Sequence, residues 1–123
     1  MSDSTSKNKT LMRRIYEEMW NKSDPALAAE LFAQPAGVER FVSEFLQSFP
    51  DLQHHMEGCI TEGEYAVARF STQGTHLGPW LDFKPTGKAI HYTGVTWARI
   101  VDGKILEHHT WWDKAGLIGQ LGG

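Results

Sequence analysis

The hydrophobic period of this chain changes once, near Pro50, and that change limits the folds open to it. Before Pro50, apolar residues recur at three- and four-residue steps, which lays one stripe along a helix. Leu11, Met12, Ile15, Tyr16, Met19 and Trp20 form the first stripe, with Thr10 expected as N-cap. Arg13, Arg14, Glu17 and Glu18 fall on the other side. Ser23-Asp24-Pro25 reads as a stop and a restart, Asp24 capping and Pro25 opening a short helix over 26–32. Gln34-Pro35-Ala36-Gly37 is a tight connection. Val38, Phe41, Val42, Phe45, Leu46 and Phe49 then make a second stripe, closed by Pro50.

After Pro50 the text is that of strands. Residues 52–61 alternate loosely, and Glu62-Gly63-Glu64 is a turn. Segments 65–76 and 89–101 are rich in β-branched and aromatic residues, as strands are. Gly78, Pro79, Pro85 and Gly87 make 77–88 a long loop. Asp102-Gly103 is a hairpin signal leading into a return strand over 104–112, and 116–123 reads as a short tail. Helices followed by an antiparallel meander predict an α+β domain, with the N-terminal helices packed on one face of a strongly curved sheet.

At 123 residues the chain has the length of one domain. Residues 1–9 are expected to be a flexible, polar leader and 10–123 the domain. Twelve Lys and Arg against fifteen Asp and Glu give a net charge of −3, which argues against a nucleic-acid partner. No apolar run is long enough to span a bilayer, so no membrane role is expected. The first nine residues lack the apolar stretch of a signal peptide. A single cysteine, Cys59, excludes an internal disulfide, and a cytoplasmic setting is expected.

All six histidines lie between residues 54 and 109, which raises the question of a metal. His54-His55 and His108-His109 are adjacent in strands, so each pair points to opposite faces and cannot chelate one ion. Neither His-x-His nor a His-Glu-x-x-His helix occurs, and no metal site is expected. Cys59 has no Cys/His partner pattern, and the Gly-x-Ser-x-Gly elbow of serine hydrolases is missing. What remains is the run from Glu107 to Asp113. Strand alternation puts Glu107, His109, Trp111 and Asp113 on one face. If that face is concave, it presents carboxylates and an imidazole beside indole rings. Apolar walls raise a carboxyl pKa toward the range useful for acid/base work. Otherwise Asp113 ends the strand and caps 114–119. Five Trp, six Phe and three Tyr exceed what so small a core needs, so some are expected to line an open pocket for a flat hydrophobic ligand.

With these residues in view, the chain resembles the SnoaL-like polyketide cyclases, within the nuclear transport factor two-like and ketosteroid-isomerase-like superfamily. The resemblance is carried by Phe49-Pro50-Asp51-Leu52, Gly74-Thr75-His76-Leu77-Gly78 and Pro85-Thr86-Gly87-Lys88. It continues through Gly94, Arg99, Asp102-Gly103-Lys104-Ile105 with Glu107, and Trp112-Asp113 to Gln120-Leu121-Gly122. It implies a cone, a cystatin-like α+β barrel enclosing one hydrophobic pocket, and a homodimer formed through the sheet. It implies intramolecular aldol cyclisation, or a related isomerisation or dehydration, of a hydrophobic polyketide-like carbonyl compound. No cofactor or metal is implied. The resemblance makes Asp113 the general acid/base. His91 and His109 are then its polar partners, and His76 lines the pocket mouth or pins its own loop. Tyr16, Trp20, Phe45, Phe49, Trp80, Trp97 and Trp111 are the expected walls. Glu107 either joins the chemistry or pairs with Arg99. The connection at 33–36 is shorter than the family's usual one, which opens or shrinks the pocket on that side. Two alternatives stand beside the cyclase: a binding module without turnover, and an epoxide hydrolase pairing Asp113 with Arg69 or Arg99.

Overall fold

The computed structural model describes residues 3–122. The first element is one continuous helix that changes character along its length. It runs as α1 over Asp3–Arg14 and continues as a π-helical segment over Ile15–Trp20. The wider turn shows in its bonds: the Asn21 amide reaches the Tyr16 carbonyl at 3.0 Å and the Asp24 amide that of Met19 at 2.9 Å. All six residues of the first expected stripe are buried. Helix begins at Asp3, so Thr10 lies inside α1 rather than capping it, and residues 3–9 are helical where a leader was expected. Within this stretch the buried Asn8 amide donates to the Gly63 carbonyl at 3.4 Å. Met1 and Ser2 of that leader lie outside the described residues.

Asp24 and Pro25 restart the chain as expected, through a 3-10 turn over Pro25–Leu27 into α2, Ala28–Leu31. Helix α3 covers Ala36–Ser48 and buries Val42, Phe45 and Ser48. Four antiparallel strands follow: β1 Gln53–Glu62, β2 Tyr65–Thr75, β3 Ala89–Val101 and β4 Lys104–Trp112, paired in that order. The expected tail is a helix, α4, over Lys114–Gln120. Leu117 and Leu121 there are buried, and the Gln120 amide brackets the His91 peptide with two hydrogen bonds of 2.7 and 2.9 Å.

Which residues face the helices is set by parity, and two bulges reset it. On β2 the inner face carries Ala66, Ala68, Phe70 and Thr72. On β3 it carries Ile90, Tyr92, Thr96, Ala98 and Ile100. In β4, Ile105 pairs with Ile100, but Glu107 pairs with Arg99, leaving Leu106 as an extra residue. Odd positions therefore point inward before the bulge and even positions after it. Glu57 is the extra residue in β1, between Met56 opposite Phe70 and Gly58 opposite Arg69.

Gly94 shows how tightly the inner face is fitted. A Cβ there would lie 2.6 Å from the Phe70 ring, 2.7 Å from the Trp111 carbonyl oxygen and 2.9 Å from the Trp112 Cβ. Gly94→Ala is expected to cost about 1–3 kcal/mol through overpacking. Urea unfolding followed by tryptophan fluorescence would measure it, and an unchanged midpoint would show that the Phe70 ring and the β4 backbone at Trp111 and Trp112 are free to give way.

Candidate functional site

A cavity of about 580 Å³ lies between the π-helical segment, α3 and the inner face of the sheet. Its size is that of a small-molecule site. Its walls include Trp20, Phe41, Phe45, Phe70, Tyr92 and Trp112. Phe41 is 53% exposed, and with Gln34, Gly37 and Val38 it brings the short 33–36 connection to the cavity's edge. Among the described residues, no lysine, arginine or carboxylate is part of the lining.

Three hydroxyls run across the wall. Tyr16 donates to Thr96 Oγ1 at 2.7 Å, and Thr96 and Thr110 share a hydrogen bond of 3.1 Å. With Thr96 accepting from Tyr16 and donating onward, the Thr110 hydroxyl hydrogen is left for a ligand or water. Burial pushes the Tyr16 phenol up to about 12 and raises Tyr92 as well, so both rings keep their O–H at any working pH.

His54 is the other polar group in the wall. It is buried among rings, with centroids 4.7 Å from Trp20, 5.5 Å from Phe70, 5.7 Å from Tyr16 and 6.5 Å from Tyr92. Its Nδ1 is buried with no hydrogen-bond partner. Its backbone is held instead: the Asn21 side chain accepts from the His54 amide at 2.6 Å and donates to the His54 carbonyl at 2.8 Å. Burial depresses the imidazole from 6.5 to about 3, so the ring is neutral. His108, also part of the lining, packs edge-on against Phe32 at 5.0 Å, and burial lowers its pKa too.

The family is decided by the chain's match, over residues 10–121, to the SnoaL-like polyketide cyclases. The chain belongs to this family. It is 34% identical over 70 residues to aklanonic acid methyl ester cyclase DauD of Streptomyces sp. (strain C5), covering 55% of this chain and 44% of that protein. It is 37% identical over 60 residues to nogalonic acid methyl ester cyclase of Streptomyces nogalater, covering 49% and 45%. Those matches thus span less than half of either relative. In fold it is similar to TsrD from Streptomyces laurentii, with a TM-score of 0.86 at 23% identity over 99% of this chain and 98% of that one. That likeness supports the α+β cone of helices on a curved sheet expected from the sequence.

Within this SnoaL-like chain, the residues expected to form the site divide. Tyr16, Trp20 and Phe45 line the cavity. Phe49 and Trp80 are packed behind Phe45 at 4.9 and 6.2 Å between centroids and do not line it. The face carrying Glu107, His109, Trp111 and Asp113 is the outer one, because the Leu106 bulge reverses the parity of β4. Trp97, His109 and Trp111 stack there, 5.6 and 5.8 Å apart, with Trp111 63% exposed. His109 is nevertheless part of the cavity lining. His91 is exposed on the opposite face from Tyr92. Glu107 pairs with Arg99 at 3.1 Å.

Asp113 is exposed and caps α4, its Oδ1 accepting from the Gly116 amide at 2.8 Å, and it is outside the cavity lining. The capping reading of Asp113 is the one its geometry follows. His76 pins its own loop: Nδ1 lies 2.9 Å from the Thr86 hydroxyl and accepts from the Thr86 amide at 3.2 Å, away from the cavity. The epoxide-hydrolase pairing loses its residues, since Arg99 is tied to Glu64 and Glu107 and Arg69 to Glu57, with both arginines on the outer face. Among the described residues, no three His, Cys, Asp or Glu side chains are grouped to hold a metal ion.

The sequence reading missed His54, Tyr92, Thr96 and Thr110 as cavity residues. A signal was present: Ala66, Ala68 and Ala98 share one parity, and small residues mark the face that helices cover. Tyr92 and Thr96 have the parity of Ala98; Trp97 and His91 do not.

The buried His54 makes stability depend on pH in a known direction. Unfolded, it takes up a proton below its ordinary 6.5; folded, only near 3. The native state is therefore favoured above pH 6.5 and loses, on the order of 1.4 kcal/mol per pH unit, between 6.5 and 3. Urea midpoints compared at pH 7 and 5 are expected to fall further for the wild type than for His54→Phe. Equal falls would mean that the ring protonates in place.

Proposed function

We propose that this protein closes a ring on a hydrophobic polycarbonyl compound by cofactor-independent intramolecular aldol addition. One observation carries the reading: an aromatic cavity of about 580 Å³ that contains an ordered hydroxyl chain and, among the described residues, no fixed charge. Membership of the cyclase family and the two relatives named as methyl ester cyclases support it. The walls would hold the conjugated part of the substrate flat and bring its nucleophilic carbon onto the acceptor carbonyl. Positioning of this kind is worth several kcal/mol of barrier. The Thr110 hydroxyl, polarised through Thr96 by Tyr16, would donate to the carbonyl oxygen that gains charge as the C–C bond forms. The reaction is an isomerisation, so nothing leaves and no oxidant or reductant is needed. The free thiol Cys59 suits work in the reducing cytoplasm.

The experiment offers aklanonic and nogalonic acid methyl esters to the protein and follows ring closure by chromatography. Turnover of either ester is expected. Thr96→Val, which breaks the hydroxyl chain, is expected to lower kcat/KM by about tenfold to a hundredfold. A second reading, ligand binding without turnover, is favoured by the lack of any carboxylate among the described lining residues. Tight binding of an ester that the protein never converts would decide for it.

The outer face of the sheet suits a second copy of this chain. Tyr65, Trp97, His109 and Trp111 form a row of rings 5.5 to 5.8 Å apart, and Ile60 (76% exposed) and Val67 extend the same surface. A patch of this character on one face is self-complementary under a two-fold axis, as the homodimer expected from the family requires. Trp111→Glu is expected to turn a dimer into a monomer in sedimentation velocity. A wild type that sediments as a monomer would remove the proposal.

A further inference from the structure

We propose, resting on the ring-closure reading above and deepening it, that Gln34 recognises the carbonyl at the outer end of the substrate and so sets which end enters the cavity. An ester or a ketone offers hydrogen-bond acceptors and no donor, so a wall that reads it must supply N–H or O–H groups. One donor is already in place, the Thr110 hydroxyl at the end of the Tyr16–Thr96 chain. A compound with several carbonyls needs a second donor at another point, or its far end is left unread.

The remaining polar side chains of the lining are placed differently. His54 is walled in by rings, with its Nδ1 buried, and Tyr92 is buried against Trp112. The His109 ring stacks between Trp97 and Trp111 on the outer face, and His108 packs edge-on against Phe32. Gln34 is exposed, lines the cavity, and hydrogen-bonds no other described residue. Its backbone is held on both sides. The Ala33 amide donates to the Ile105 carbonyl at 2.9 Å, beside the bridge between Phe32 and Ile105, and the Glu39 amide donates to the Pro35 carbonyl at 2.8 Å. A free amide on fixed backbone leaves only its own rotamers to be ordered when a ligand arrives, which keeps the cost of binding low.

The two donors meet the cavity at separate points. The short connection is tied to Ile105, at the start of β4, whereas Thr110 lies near the strand's end. From Gln34 the same side of the cavity continues through Gly37, Val38 and Phe41 of α3. A flat compound lying along the aromatic wall can give one carbonyl to Thr110 and another to the Gln34 N–H groups. The first bond strengthens as charge develops on the reacting oxygen. The second is equal in ground state and transition state, so it contributes to binding and orientation and leaves the chemical step alone. No proton moves through Gln34.

Recognition can be read without ring closure, by isothermal calorimetry with a matched pair of probes. One is methyl 6-acetyl-2-naphthoate; the other is the same ketone with a propyl group in place of the ester. Wild type is expected to bind the ester about three- to tenfold more tightly, which is what one hydrogen bond at a partly wet site contributes. Gln34→Leu is expected to bind both alike, at the affinity of the propyl compound, with an unchanged urea midpoint because the side chain is exposed. Thr96→Val is expected to weaken both probes equally and keep the preference. A wild type without the preference would overturn the assignment, and so would a Gln34→Leu variant that retains it. Loss of the preference in Thr96→Val or His108→Phe alone would also overturn it, by giving the ester to those residues. In the turnover assay, Gln34→Leu is expected to raise KM for the methyl esters by the same factor, with kcat held within about twofold. A fall in kcat at unchanged KM would count against it. The two readings fail separately: a wild type that shows the preference and closes no ring removes ring closure and keeps the role of Gln34, and one that closes the ring without the preference does the reverse.

Discussion

Two hydrogen bonds from one amide side chain join the halves of this protein where it matters most. Asn21 ends the π-helical segment and holds both backbone groups of His54 at the start of β1. The helix layer and the sheet are thereby registered to each other at the floor of the cavity. Ile15, Tyr16, Met19 and Trp20 of the π-helical segment are all buried. Tyr16 then reaches Thr96 on β3, and Trp20 lies against His54. Shape and polarity of the cavity both descend from this junction.

The sheet makes room for the cavity by the sizes it presents inward. Ala66, Ala68 and Ala98 let the helices sit close at one end. Phe70, Tyr92 and Trp112, spread around Gly94, hold the layers apart at the other. His76 and Thr86 secure the long loop, and the Ser48 carbonyl receives the amides of Leu77 and Gly78. The wall behind Phe45 and Phe49 therefore rests on fixed backbone.

Much of this was legible in the sequence. The change of hydrophobic period at Pro50 separates helices from strands, and the Asp102-Gly103 turn joins β3 to β4. The alternation of β4 is legible in the sequence, while the face it presents is not. Leu106 is a leucine in a strand like any other, and nothing in its identity says that it is unpaired. That one residue sends His109 and Trp111 outward and brings His108, Thr110 and Trp112 inward. The extension of α1 to Asp3 escaped notice as well, and with it the contact between Asn8 and Gly63 across the fold. His54 escaped because a strand-edge histidine beside another histidine carries no pattern. Its meaning lies in the rings that surround it and in the partner it lacks.

The uncharged lining has a consequence for the order in which a ligand can be prepared. An ionised carboxylate entering this space would give up its water and meet no cation, a loss of several kcal/mol. The same molecule with that acid masked as a neutral ester would enter without it. The wall thus acts as a filter on ionisation state, admitting a molecule only after whatever step removes its charge.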